Sequence, residues 1–98
     1  MTAIKAIRIE KNGGPETMAL KEVDLPAPGP GEVTVRAKAI GINFIDTYHR
    51  SGLYPVKLPS GIGMEAAGVV EALGEGVTQF AKGDRVAYAS GPVGAYAE

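Results

Sequence analysis

The sequence predicts a mainly β domain, a small barrel of five or six short strands interrupted by one short helix. Fourteen glycines and seven prolines among 98 residues are spread between short apolar segments rather than pooled in one linker, which is the punctuation of strands joined by tight turns. Val33, Val35, Ala37 and Ala39 alternate with Thr34, Arg36 and Lys38, a period of two that buries one face of a strand and wets the other. A hydrophobic content of 45% over this length supports a single core and a single domain.

The elements follow in order. Ala3 to Glu10 reads as a first strand, broken by Asn12-Gly13-Gly14-Pro15. Extended structure resumes over Met18 to Leu25 and stops at Pro26-Ala27-Pro28-Gly29-Pro30-Gly31, a stiff and exposed breaker. Glu32 to Ile40 is the clearest strand. Asn43 to Gly52 breaks the β pattern: it opens on an N-cap residue, carries an acid three positions later and closes on a glycine suited to the position after a helix, so a short helix is predicted over about 43–51. Glu65 to Leu73 and Asp84 to Ser90 are further strands, with turns at Gly74-Glu75-Gly76 and Lys82-Gly83-Asp84.

Gly61-Ile62-Gly63-Met64-Glu65-Ala66 fits the G-x-G-x-x-G/A dinucleotide fingerprint. That motif binds pyrophosphate only where a buried strand feeds the first glycine and a helix follows. Here Pro55 and Pro59 precede it, and the following run holds Gly68 beside the β-branched pair Val69-Val70. The first removes ladder donors and the second suits a strand better than a helix. The stretch is therefore expected to be a loop leading into a strand.

Composition excludes several function classes. A net charge of −1 from 10 basic and 11 acidic residues gives no basic stripe for nucleic acid. No apolar run approaches the length that spans a membrane, and the N-terminal MTAIKAIRIEKNGG lacks the apolar stretch of a signal peptide, so the expected location is the cytoplasm. The absence of cysteine removes disulfides, thiolate nucleophiles and cysteine-zinc sites together. With a single histidine, His49, and no G-x-S-x-G elbow, a hydrolase triad has no parts.

The residues that could carry chemistry cluster around the helix. Asn43 can donate an amide to a carbonyl or cap the helix, and spacing alone favours the cap. Asp46 complements the helix dipole, while Tyr48 and Tyr54 pack with wet hydroxyls. His49 and Arg50 are expected to be partly exposed near the last helical carbonyls. Glu65 either sits partly buried beside the apolar run Ala66 to Val70 or points outward at a strand start.

Two blocks, GINFIDTYHRSGLYP and GMEAAGVVEALGEGVTQFAKGDRVAY, in this order and separation, resemble the N-terminal catalytic region of the zinc-independent quinone oxidoreductases of the medium-chain dehydrogenase/reductase superfamily. The resemblance extends over nearly the whole chain. It implies a GroES-like barrel over residues 1–98, incomplete at its C-terminus, and in complete members a following Rossmann domain that binds NADPH and is absent from this chain. The fragment itself is then expected to be inactive, and its complete parent a cytoplasmic homodimer.

Zinc-dependent alcohol dehydrogenases of that superfamily place a cysteine and a G-H-E triplet where this chain has Asn43 and Met64. An amide and a thioether are poor zinc ligands, so no metal site is expected, and reduction would depend on hydride transfer from bound NADPH to a quinone or other activated carbonyl. Carried over residue by residue, the resemblance puts Asn43 near the nicotinamide or substrate carbonyl, with Tyr48 and Tyr54 lining the same cleft. Asp46 falls beside them in a cofactor-side or capping role. Glu65, the acid of the G-M-E triplet, falls beside the catalytic site, orienting the adjoining loop rather than transferring a proton. It gives no role to His49 or Arg50.

Two other classes compete with an enzyme fragment. A co-chaperonin has a GroES barrel of similar length, but Gly13 to Met18 is short for a mobile loop and the helix after Asn43 is foreign to it. A single-domain relative could bind a small aromatic molecule in the Asn43, Tyr48, Tyr54 cleft. The final stretch, Gly91 to Glu98, begins a new extended segment. It is expected to be disordered, or to leave open strand edges through which the fragment self-associates.

Overall fold

The computed structural model describes residues 2–98. In chain order the elements are β1 (Thr2–Ile9), a 3-10 turn (Pro15–Thr17), β2 (Met18–Leu25), β3 (Val33–Ile40), α1 (Ile45–Ser51), β4 (Ser60–Gly61), β5 (Ala66–Leu73) and β6 (Arg85–Tyr88). They form two three-stranded sheets, ordered β2-β1-β4 and β3-β5-β6, with antiparallel pairing in each. Among the described residues no ladder joins the two sheets into a closed barrel.

β1 and β2 pair in unbroken register from Thr2 opposite Leu25 to Ile9 opposite Met18, which the Asn12-Gly13-Gly14-Pro15 breaker makes possible by reversing the chain between them. β5 is central in its sheet. Ala66, Gly68 and Val70 on one face are buried while the opposite face is partly exposed, the period-two pattern of a strand with one face in the core. β3 departs from the alternation expected of it. Register shifts between Thr34 and Val35 and between Ala37 and Ala39 insert bulges that turn the strand, so Ala39 is exposed while Val33, Val35 and Ala37 are half-buried.

The core is small. Ile9, Ile62 and Val70 are its fully buried large side chains, joined by Ala6, Ala66 and Ala95. Burying each of the three large ones is worth about 1.5–3 kcal/mol. They come from β1, the loop after β4, and β5, so the core lies where the two sheets meet the Gly61-to-Ala66 stretch.

That stretch is no phosphate-binding turn: Ala66 begins a strand, not a helix. Its glycines serve close packing instead. A Cβ on Gly61 would come within 2.6 Å of the Gly94 Cα, and one on Gly63, where φ is +99°, within 2.5 Å of the Tyr96 ring.

The same contacts overturn the expectation of a disordered or unpaired terminus. The Gly94 and Ala95 N–H groups donate to the Gly63 carbonyl at 2.9 and 3.1 Å, and Tyr96 N–H donates to Ile62 O at 2.9 Å. Ile7 N–H donates to Tyr96 O at 2.8 Å, and Ala97 bridges Ala6 on β1. Because the glycines let two backbones approach, the donors and acceptors of residues 94–98 find partners inside the fold.

Candidate functional site

Helix α1 begins two residues after Asn43, and its first turn is built by a carboxylate. The Asp46 N–H donates to Asn43 O at 3.0 Å, and Asp46 Oδ2 accepts from Asn43 N–H at 3.1 Å. This is the returning half of a capping box, made by aspartate. The Asn43 side chain, expected from spacing to be the cap, makes no hydrogen bond among the described residues; the residue before the helix, Phe44, is itself in helical conformation without a side-chain cap. The cap is supplied by Asp46, which leaves the Asn43 amide group uncommitted.

Asp46 is 4% exposed, and its Oδ2 accepts a second bond, from the Tyr96 hydroxyl at 2.6 Å. Its Oδ1 is buried without a partner. Burial first, and then the hydrogen bond and charge of Asp46, push the Tyr96 phenol up to about 12. Tyr96 lies fifty residues along the chain from Asp46 and drew no notice in the sequence, where nothing in Gly94-Ala95-Tyr96-Ala97 marks it.

The far end of α1 closes on Gly52, left-handed at φ 91°, whose N–H donates to Tyr48 O at 3.0 Å. The Tyr54 N–H reaches the same carbonyl at 3.2 Å, folding the chain back over the helix. Tyr54 is thereby set edge-to-face on Tyr48, with ring centroids 5.1 Å apart, and Tyr48 is likewise edge-to-face with Phe44 at 5.4 Å. The structure thus shows two separate pairs, Asn43 with Asp46 at the start of α1 and Tyr48 with Tyr54 at its closing turn. Glu65 is exposed at the foot of β5 and lies across Gly41, two residues before Asn43: Gly41 N–H donates to Glu65 O at 3.0 Å, and a Cβ on Gly41 would strike the Glu65 carboxylate.

His49 is more buried than expected, whereas Arg50 is partly exposed, as expected. His49 is only 8% exposed, with Nδ1 unpartnered, because the Tyr54 turn packs toward it. Its carbonyl accepts from Asn12 Nδ2 at 3.2 Å, and Arg50 Nε donates to Gly13 O at 3.2 Å. The last turn of α1 is therefore fastened to the β1–β2 connection.

Exposed apolar side chains surround this cluster. Ile42 is 84% and Phe44 74% exposed, with Leu53 and Tyr54 also open. A separate groove runs between the sheets, lined by Leu25, Val33, Val35, Tyr88 and Val93 among others, and none of the site residues lines it. Among the described residues there is no group of three or more His, Cys, Asp or Glu side chains that could hold a metal, and no helix is long and apolar enough to cross a membrane.

The chain matches the alcohol dehydrogenase GroES-like domain over residues 29–97, and it belongs to that family. It is 59% identical over 95 residues to the quinone oxidoreductase of Pseudomonas aeruginosa, a match covering 96% of this chain and 29% of that protein. The crystal structure of the Pseudomonas syringae pv. tomato DC3000 quinone oxidoreductase superposes with a TM-score of 0.95 at 59% identity, covering 97% of this chain and 30% of that one. The Escherichia coli quinone oxidoreductase complexed with NADPH superposes at 0.91 with 49% identity, covering 96% and 30%. The chain spans less than a third of the length of these relatives.

Proposed function

We propose that this chain is the substrate-side part of an NADPH-dependent quinone oxidoreductase, in which a quinone receives a hydride from nicotinamide without zinc. The observation that carries the proposal is the uncommitted Asn43 amide at the entrance to a helix whose first turn is held by a buried carboxylate and whose closing turn carries the Tyr48–Tyr54 pair. Similarity to quinone oxidoreductases, one of them complexed with NADPH, supports the choice of reaction.

The donor set does not suit zinc. Asn43 and Met64 offer an amide and a thioether, the chain has no cysteine, and the lone imidazole is buried at His49. The residues suit the flat end of a nicotinamide better than a whole dinucleotide. Asn43 and the exposed faces of Phe44 and Tyr54 offer an amide and flat apolar surface, whereas the glycine-rich stretch matching the phosphate-binding fingerprint is filled by residues 94–96. The nucleotide phosphates therefore belong on another domain of the parent protein.

When bound, the nicotinamide supplies the hydride, becoming NADP+. A quinone that gains the hydride and one proton leaves as hydroquinone, so two electrons and two hydrogens are accounted for. The chain's own residues orient and stabilise. Tyr48 and Tyr54 present ring faces and hydroxyls to a flat substrate, and the Asn43 amide can donate to the oxygen on which negative charge develops. Glu65 braces Gly41 and hence the approach to Asn43.

A hybrid in which this chain replaces the matching stretch of the Pseudomonas aeruginosa protein tests the proposal by loss of NADPH absorbance. The hybrid is expected to reduce a soluble quinone, the isolated chain to give no turnover above background, and Asn43→Ala to lower kcat/KM of the hybrid at least about tenfold. A folded hybrid without NADPH-dependent quinone reduction, or enzyme-like turnover by the isolated chain, contradicts it.

A further inference from the structure

Asp46 Oδ2 is the meeting point of two donors that lie far apart in the sequence. One is the Asn43 N–H, at the entrance to α1; the other is the Tyr96 hydroxyl, on the final segment. The carboxylate is 4% exposed and its other oxygen has no partner. Water does not stand in readily for a donor lost from such a site, and a hydrogen bond to a buried charge is worth more than one between neutral groups.

Tyr96 is itself fixed from three sides. Its carbonyl accepts from Ile7 N–H on β1, and its N–H donates to Ile62 O. Its ring occupies the space where a Cβ of Gly63 would stand, one residue before Met64 and two before Glu65. One side chain therefore touches both blocks that frame the candidate site: the helix through its hydroxyl and the glycine-rich loop through its ring.

We infer that Tyr96 is the positioning residue of the candidate site, holding Asn43 in place through Asp46 while its ring sets the loop that carries Glu65. The inference rests on the reading of Asn43 as a substrate-side donor. Tyr96 touches no reacting atom in this arrangement; it acts by fixing the backbone from which the Asn43 amide projects. A difference of an ångström in such a donor is enough to weaken an oriented contact.

The test is residue-resolved amide hydrogen exchange on the chain and on Tyr96→Phe, which keeps the ring and removes the hydroxyl. The Asn43 N–H is expected to exchange at least about tenfold faster in the variant, with the amides of β1 and β5 within about twofold of their original rates. A general loss of stability would move all of them together. Affinity for a sulfonated naphthoquinone, followed by shifts of the Asn43 side-chain amide, is expected to fall in the same variant. Unchanged Asn43 exchange, or a uniform acceleration across all strands, overturns the inference. If the original chain does not bind the quinone, the functional reading fails, and Asn43 exchange still decides whether Tyr96 holds this turn. Should Tyr96→Phe prove unfolded, Asp46→Asn probes the same oxygen: it must loosen Asn43 selectively, and selective loosening that is absent counts against the inference.

Discussion

Tyr96 and Asp46 form a long-range side-chain bond in which a phenol meets a buried carboxylate, and this makes stability depend on alkaline pH in a defined direction. The Tyr96 phenol is raised from an ordinary 10.0 to about 12 by burial and by Asp46. Below the unfolded value the phenol is protonated in both states and its contribution is fully present. Above that value the unfolded chain releases a proton that the folded chain retains, so stability falls as pH rises from about 10 to about 12. Tyr88, also raised by burial, changes stability in the same direction, so the diagnostic quantity is the difference from Tyr96→Phe. The urea midpoint of the original chain is expected to descend more steeply there than that of the variant; parallel curves would show that the bond does not hold the fold. At this scale the sequence was legible for residue types and not for partners. Asn43, Asp46, Tyr48 and Tyr54 could be picked out because a helix pattern groups them. Asp46's second donor could not, because it arrives from a separation of fifty residues with no local pattern. His49 misled for the same reason: a histidine in a last helical turn ordinarily meets solvent, and here the fold-back of Tyr54 and the β1–β2 connection both pack against that turn.

At the scale of elements, α1 is short and depends on its two ends. Its C-terminal end was readable because a glycine after Arg50-Ser51 has one common use, and Gly52 indeed adopts φ 91° with its N–H on Tyr48 O. A Cβ there would also stand 3.0 Å from the Asn12 side chain. Gly52→Ala is expected to cost about 1 kcal/mol, seen as a lowered urea midpoint, and to spread the Tyr48–Tyr54 contact, seen as altered aromatic proton shifts. An unchanged midpoint would mean that the left-handed turn is not what closes the helix. The start of α1 was readable as a position but not as chemistry, since a polar residue followed by an acid three places on admits either side chain as the cap. Among strands, β2 was found with its observed limits because Pro26 and the 3-10 turn bound it sharply. β4 was missed: two residues, Ser60 and Gly61, have no periodicity, and their pairing with Arg8 and Ile9 is long-range. The bulges in β3 were equally invisible, since an extra residue in a strand leaves no mark on composition.

At the scale of the whole molecule, the mainly β class followed from turn punctuation, and the family from two blocks of sequence. What could not be read was how the strands divide. Two three-stranded sheets leave the outer edges of β2, β3 and β6 without a ladder partner among the described residues, and Leu20 on β2 is 64% exposed. Such edges are templates for pairing. The chain alone is expected to self-associate with rising concentration in sedimentation velocity; a single monomeric species throughout would show that the edges are adequately protected. The fate of the final segment was misread because its partners are backbone groups freed by Gly61 and Gly63, and a glycine pattern in sequence does not reveal which backbone it admits.

The central claim is that Asn43, Tyr48 and Tyr54 form the substrate face of a quinone site. It is tested most directly by titrating the isotopically labelled chain with a sulfonated naphthoquinone and following each residue's resonances. The account predicts saturable shifts confined to Asn43, Tyr48, Tyr54 and their neighbours Phe44 and Glu65. Shifts centred instead on the groove between the sheets, around Leu25, Val35 and Val93, would contradict it.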